Sequence, residues 1–130
     1  MEQPLEAGFG EAEFTPAGAV PLAGYTHWKD RMSTGVRDPL FARAVALRGN
    51  GVTGVLVVYD LLMVVEDLYQ GLRSRLADTG ARVMVHATHT HSSVGGFWDS
   101  FLARRFLGTF DPGIVRMLLD AGERAARMAL

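Results

Sequence analysis

At 130 residues the chain has room for one domain with a core, and 48% hydrophobic against 21% charged residues excludes disorder along its whole length. Thirteen basic and fourteen acidic side chains leave a formal net charge of -1, which removes nucleic acid and anionic membrane surfaces from the expected main partners. With no cysteine, any metal must be held by imidazole, carboxylate or phenolate. The opening residues lack the basic and apolar regions of a secretory signal, and the longest apolar run, near Val55 to Val65, is interrupted by Asp60. The chain therefore reads as soluble, with no membrane span and the cytoplasm as its default compartment.

Pro16, Gly18, Pro21, Gly24, Gly35 and Pro39 punctuate the first forty residues, which predicts an irregular segment lying over another part of the fold. Loops of this length are often functional. Residues 41–47 and 52–59 read as strands joined across Arg48-Gly49-Asn50-Gly51, whose Asn-Gly signals an antiparallel hairpin. The unbroken apolar run 55–59 predicts a central strand covered on both faces. After Asp60 the period changes, and Leu61, Val65, Leu68, Leu72 and Leu76 predict an amphipathic helix ending near Asp78-Thr79-Gly80. Residues 82–87 form the next strand, which completes a βαβ unit with parallel strands and a right-handed crossover. Two more helices are predicted, over 97–107 and from Gly113 to the terminus, where Ile114, Leu118, Ala121, Ala125 and Met128 share a face. The last helix reaches Leu130 without a stop signal. The expected fold class is α/β: a mixed sheet with a β-hairpin and a βαβ unit, flanked by helices, in an incomplete domain.

Chemistry gathers at the carboxyl ends of the two central strands, where open α/β sheets place their ligand crevices. Asp60 follows one strand and Ala87-Thr88-His89-Thr90-His91-Ser92 follows the other. If the extended conformation persists, residues 85, 87, 89 and 91 share a face and the two histidine Cα atoms stand roughly 6.5 Å apart. Two imidazoles then converge on one volume, as when one ring binds a metal and the other polarises a carbonyl, or when both bind the metal. Spacing alone fits a polar strand end equally well, and location favours function. Gly95-Gly96 would let backbone amides approach a substrate. His86 falls on the opposite face and reads as structural or surface, and His27 sits in a loop with no assigned role. Asp60 fits either a carboxylate orienting a histidine or a cap of the following helix. Phe97, Trp98, Phe101 and Phe106 fit core packing better than an acyl groove.

Several segments occur here in the order found at the start of the neutral/alkaline non-lysosomal ceramidases. They are Ala7-Gly8-Phe9-Gly10 through Thr15-Pro16, Pro21-Leu22-Ala23-Gly24-Tyr25, Val36-Arg37-Asp38-Pro39-Leu40-Phe41-Ala42-Arg43-Ala44, Val57-Val58-Tyr59-Asp60-Leu61 and the histidine motif. The chain resembles that family from about Ala7 to Gly96. The resemblance implies an α/β catalytic domain much longer than this chain and a zinc-dependent amidase that cleaves the N-acyl bond of ceramide. It places His89 at a zinc-binding position and His91 at a substrate-facing position beside the metal. Arg37 and Asp60 match recurring positions and complete the set of catalytic candidates with His91. The family's remaining zinc ligands, a histidine, a glutamate and a tyrosine, and its catalytic serine lie downstream and have no counterpart here. The family's Ser-Gly-Pro after the motif is replaced by Ser92-Ser93-Val94. The resemblance thus implies an amidohydrolase acting on a lipid-like N-acyl amide, its site completed by C-terminal sequence or a partner chain. The alternatives are one half of a two-chain enzyme, or a noncatalytic remnant or interaction module with a sticky apolar face on its last helix.

Overall fold

The computed structural model describes residues 4–26 and 29–130, so His27 lies outside the described residues. Four strands, β1 (Glu6–Glu13), β2 (Phe41–Gly49), β3 (Val52–Tyr59) and β4 (Arg82–Ala87), form one sheet in the order β1-β2-β3-β4. The first two pairings are antiparallel and β3 pairs parallel with β4, so the sheet is mixed. Helix α1 (Glu66–Arg75) connects the parallel strands, and α2 (Arg104–Leu107) and α3 (Pro112–Ala129) follow. The hairpin between β2 and β3 closes on Asn50-Gly51, with φ of 50° and 76°. Two consecutive left-handed residues give the tightest turn whose twist suits the strands, which is why Asn-Gly stands there.

Strand β1 has no counterpart in the predicted elements, because its glycines read as irregular chain. Gly8, Gly10 and Ala12 pair with Ala46, Ala44 and Ala42, so both strands present their smallest side chains on one face. Helix α3 packs there: a Cβ on Gly8 or Gly10 would collide with the carbonyl oxygen of Ala129 or Ala125. The same glycines that dilute the strand signal admit a helix backbone. Helix α3 is capped by Asp111, whose Oδ1 accepts from the Gly113 amide at 2.7 Å, with Pro112 in its first turn. It buries Ile114, Leu118, Ala121 and Ala125 as expected, together with Gly122, Ala126 and Ala129, while Met128 turns outward at 65% exposure.

Two helix boundaries depart from the periodic pattern. Leu61 and Leu62 are buried but not helical, and α1 starts only at Glu66. Their carbonyls are turned to His89, which donates its backbone amide to Leu61 O at 2.9 Å. Of residues 97–107, only the last four are helical. The Gly96 amide donates to Leu107 O, closing a loop whose ends a continuous helix would hold roughly 15 Å apart.

Helices cover one face of the sheet, where Val55, Val57 and Tyr59 are buried. The expectation that β3 is covered on both faces does not hold. On the other face Phe9, Val45, Leu56 and Met84 lie in register across all four strands, with Phe9 73% and Met84 56% exposed. The uncovered apolar surface therefore belongs to the sheet and not to the last helix, whose apolar side is buried. Among the described residues no helix is long and apolar enough to cross a membrane.

Tyr59 locks the layers together. Its buried hydroxyl donates to Leu118 O at 2.9 Å, and burial raises the phenol above its ordinary pKa. Gly122 makes room for it, since a Cβ there would overlap the hydroxyl. Tyr59→Phe should cost about 1–1.5 kcal/mol in denaturant unfolding. Gly122→Ala should cost about 1–3 kcal/mol by overpacking, and less in a Tyr59→Phe background, where the obstructing hydroxyl is gone.

Candidate functional site

The parallel ladder continues one step past β4, where the Thr88 amide donates to Tyr59 O at 3.0 Å. Extended backbone then ends. His89 takes φ of 65°, so the strand does not run on through His91 as alternation would require. The two rings converge nevertheless, through the turn at His89. Their Nε2 atoms stand 3.3 Å apart and the rings meet edge to face, with centroids 4.9 Å apart.

With both rings neutral, one contact sets the tautomers of this pair. His89 Nδ1 lies 2.8 Å from Leu62 O, and a carbonyl only accepts, so Nδ1 carries the proton and Nε2 presents a lone pair. The hydrogen between the two Nε2 atoms then belongs to His91, which leaves His91 Nδ1 bare. Consistent with that, His91 Nδ1 is buried with no hydrogen-bond partner among the described residues. Two ligands of one tetrahedral zinc, each about 2.0–2.1 Å from the ion, stand roughly 3.3 Å apart. The spacing equally suits one ligand beside a hydrogen-bond donor. No group of three or more His, Cys, Asp or Glu side chains able to hold a metal occurs among the described residues. Among the described residues the chain thus brings two imidazoles together without a third such side chain beside them.

The segment after β1 folds over this edge. Ala23 N donates to Ser93 O at 3.1 Å and Gly24 N to Phe106 O at 2.7 Å. Gly24, at φ of 127°, passes so close to His91 that a Cβ would meet the ring, so both its backbone and its space require glycine. Tyr25 packs its ring 5.2 Å from that of His91. Arg31 lies over Tyr25 at 4.9 Å and donates through Nη2 to Ala23 O at 3.0 Å and His91 O at 2.7 Å. Neither residue is among the predicted site residues. Tyr25 had a weak signal, an aromatic following Gly24 in a punctuated loop; Arg31 had none.

Beside the histidine loop runs a groove of about 750 Å³, walled by Pro16, Val20, Leu22, Leu40, Thr90, Ser92 and Val94, with Arg37 and Asp38 at its edge. The Arg37 side chain is 97% exposed and sits 3.8 Å from the Asp38 carboxylate, on the groove and out of hydrogen-bond contact with either histidine. Asp60 takes neither expected role. Its Oδ2 accepts from Phe41 N at 3.0 Å and Arg43 Nη1 at 3.2 Å, tying the end of β3 to the start of β2, while Val65 holds the cap position of α1. The Gly95 and Gly96 amides are likewise unavailable to a substrate, since they donate to Pro21 O and Leu107 O. His86 is exposed on the far face, as its register predicts, and its Nδ1 accepts from the Ala87 amide at 2.9 Å. Phe97 is in the core, Trp98 and Phe106 pack against it, and Phe101 is 83% exposed; none lines the groove.

In ¹⁵N-imidazole NMR at a pH where the rings are neutral, His89 should show a protonated Nδ1 and an unprotonated Nε2. A signal from protonated His89 Nε2 would contradict this arrangement.

Residues 5–130 match the family described as neutral/alkaline non-lysosomal ceramidase, N-terminal. Among solved structures the chain is similar to neutral ceramidase from Pseudomonas aeruginosa, with a TM-score of 0.81 and 25% identity over 97% of this chain and 21% of that one. It is also similar to a ceramidase complexed with C2, with a TM-score of 0.80, 26% identity and the same coverage. The chain spans about a fifth of the length of these structures.

Proposed function

Because the chain belongs to the neutral/alkaline non-lysosomal ceramidase family, we propose that it forms the N-terminal portion of the catalytic domain of a zinc-dependent amidohydrolase acting on ceramide or a related N-acyl lipid amide. The observation that carries this reading is the pair of Nε2 atoms 3.3 Å apart, with His89 held in the tautomer a metal requires. His89 would hold the zinc, which when bound supplies Lewis acidity and a nucleophilic water near neutral pH. Leu62 O keeps the His89 ring aimed and its Nε2 free of a proton. His91 presents Nε2–H to the same volume, where it donates to the amide carbonyl oxygen as negative charge develops there. The apolar wall of the groove, Pro16, Val20, Leu22 and Val94, takes an alkyl chain, and Arg37 sets a cation beside the polar part of the substrate. Asp60 contributes by fixing the strand end from which Leu61 and Leu62 depart.

Zinc sites use at least three protein ligands, so further sequence or a partner chain must complete this one. The in-register apolar face of the sheet favours that completion over a noncatalytic module, since a self-contained module would expose Phe9 and Met84 to water without return. In the completed enzyme, zinc should be near-stoichiometric and should be lost in His89→Ala. His91→Ala should keep the metal and lower kcat on an N-acyl lipid amide by about 100-fold. A completed protein that holds no zinc, or cleaves no N-acyl lipid, would sink the proposal.

A further inference from the structure

The geometry points to Arg31 and Tyr25 as a positioning pair for His91, a role that rests on the amidohydrolase reading of the site. Among the described residues a single hydrogen bond holds the His91 ring, from Nε2 to His89 Nε2 at 3.3 Å, and Nδ1 has no partner. One long hydrogen bond leaves the ring free to turn about it, so contact must complete the orientation. Tyr25 leans on the ring at 5.2 Å with the planes 56° apart, and Gly24 closes on it along the same stretch of chain. The Tyr25 ring is in turn held by the Arg31 guanidinium, 4.9 Å from its centroid.

The same guanidinium fixes the backbone on both sides. Its Nη2 donates to His91 O and Ala23 O, so a single planar group grips the residue to be placed, the loop beside it and the ring that does the placing. A lysine, with a compact ammonium and no planar face, cannot hold all three. Among the described residues no carboxylate pairs with Arg31, and its Nε is buried without a partner. A guanidinium answered only by carbonyls and an aromatic face is a costly way to join two loops, and the join it makes is at His91.

In the completed enzyme, Arg31→Ala and Tyr25→Ala should each lower kcat by about tenfold with KM changed less than about twofold, as expected of a small misplacement of a catalytic donor. Tyr25→Phe, which keeps the ring, should behave as wild type. A double-mutant cycle separates positioning from general loosening of the loop: in a His91→Ala background, adding Arg31→Ala should cost less than about twofold more. A further tenfold loss in that background, or a silent Tyr25→Ala, overturns the assignment. The 130-residue chain gives a readout independent of activity. Wild type should show a nuclear Overhauser contact between the His89 and His91 rings, lost in Arg31→Ala; its persistence in the variant also overturns the proposal. If the wild-type enzyme cleaves no amide, the functional reading fails, and the ring contact still decides whether Arg31 positions His91.

Discussion

The close seating of α3 on β1 and β2 is the constraint on which the rest depends. Gly8 and Gly10 of β1, paired with alanines of β2, meet the backbone of Ala129 and Ala125 on the helix, so backbones approach to the limit that a missing Cβ allows. Close approach gains dispersion contacts along the whole helix and leaves no slack for sliding. It also brings Leu118 to the Tyr59 hydroxyl and thereby fixes the carboxyl end of β3. That strand end is the platform from which Leu61 and Leu62 leave and beside which Thr88 docks.

The site itself is built from chain that declines regular structure. Residues 61–65 forgo a helix, residues 88–91 forgo a strand, and the stretch around Gly24 passes against His91. Carbonyls freed from helical pairing become acceptors for the backbone amide and the ring of one histidine. The histidine edge sits on rigid elements while its own geometry is irregular, the arrangement expected where function is carried by loops on a scaffold.

Much of this was legible because the signals were local. Asn50-Gly51 announced the hairpin, the apolar runs marked β3 and β4 to the residue, and His89 and His91 stood out by spacing and position. What failed was anything decided at a distance. Gly8 and Gly10 read as irregular because the helix they accommodate lies more than a hundred residues away. The leucines 61 and 62 kept the helical period, and only His89, itself distant in sequence, takes their carbonyls. Aromatic spacing over 97–107 looked helical because nothing local shows Gly96 pairing with Leu107. Arg31 carries no motif, and its meaning comes from a contact sixty residues away.

His89 is one of only two non-glycine described residues with positive φ, the other being the turn residue Asn50. A left-handed residue carrying an imidazole costs roughly 1 kcal/mol that glycine would not. Selection acting on stability alone would therefore drift at this position towards residues that cannot ligate a metal. A screen for thermostable variants of this chain should therefore favour glycine or asparagine at this position, at the expense of the imidazole that faces His91.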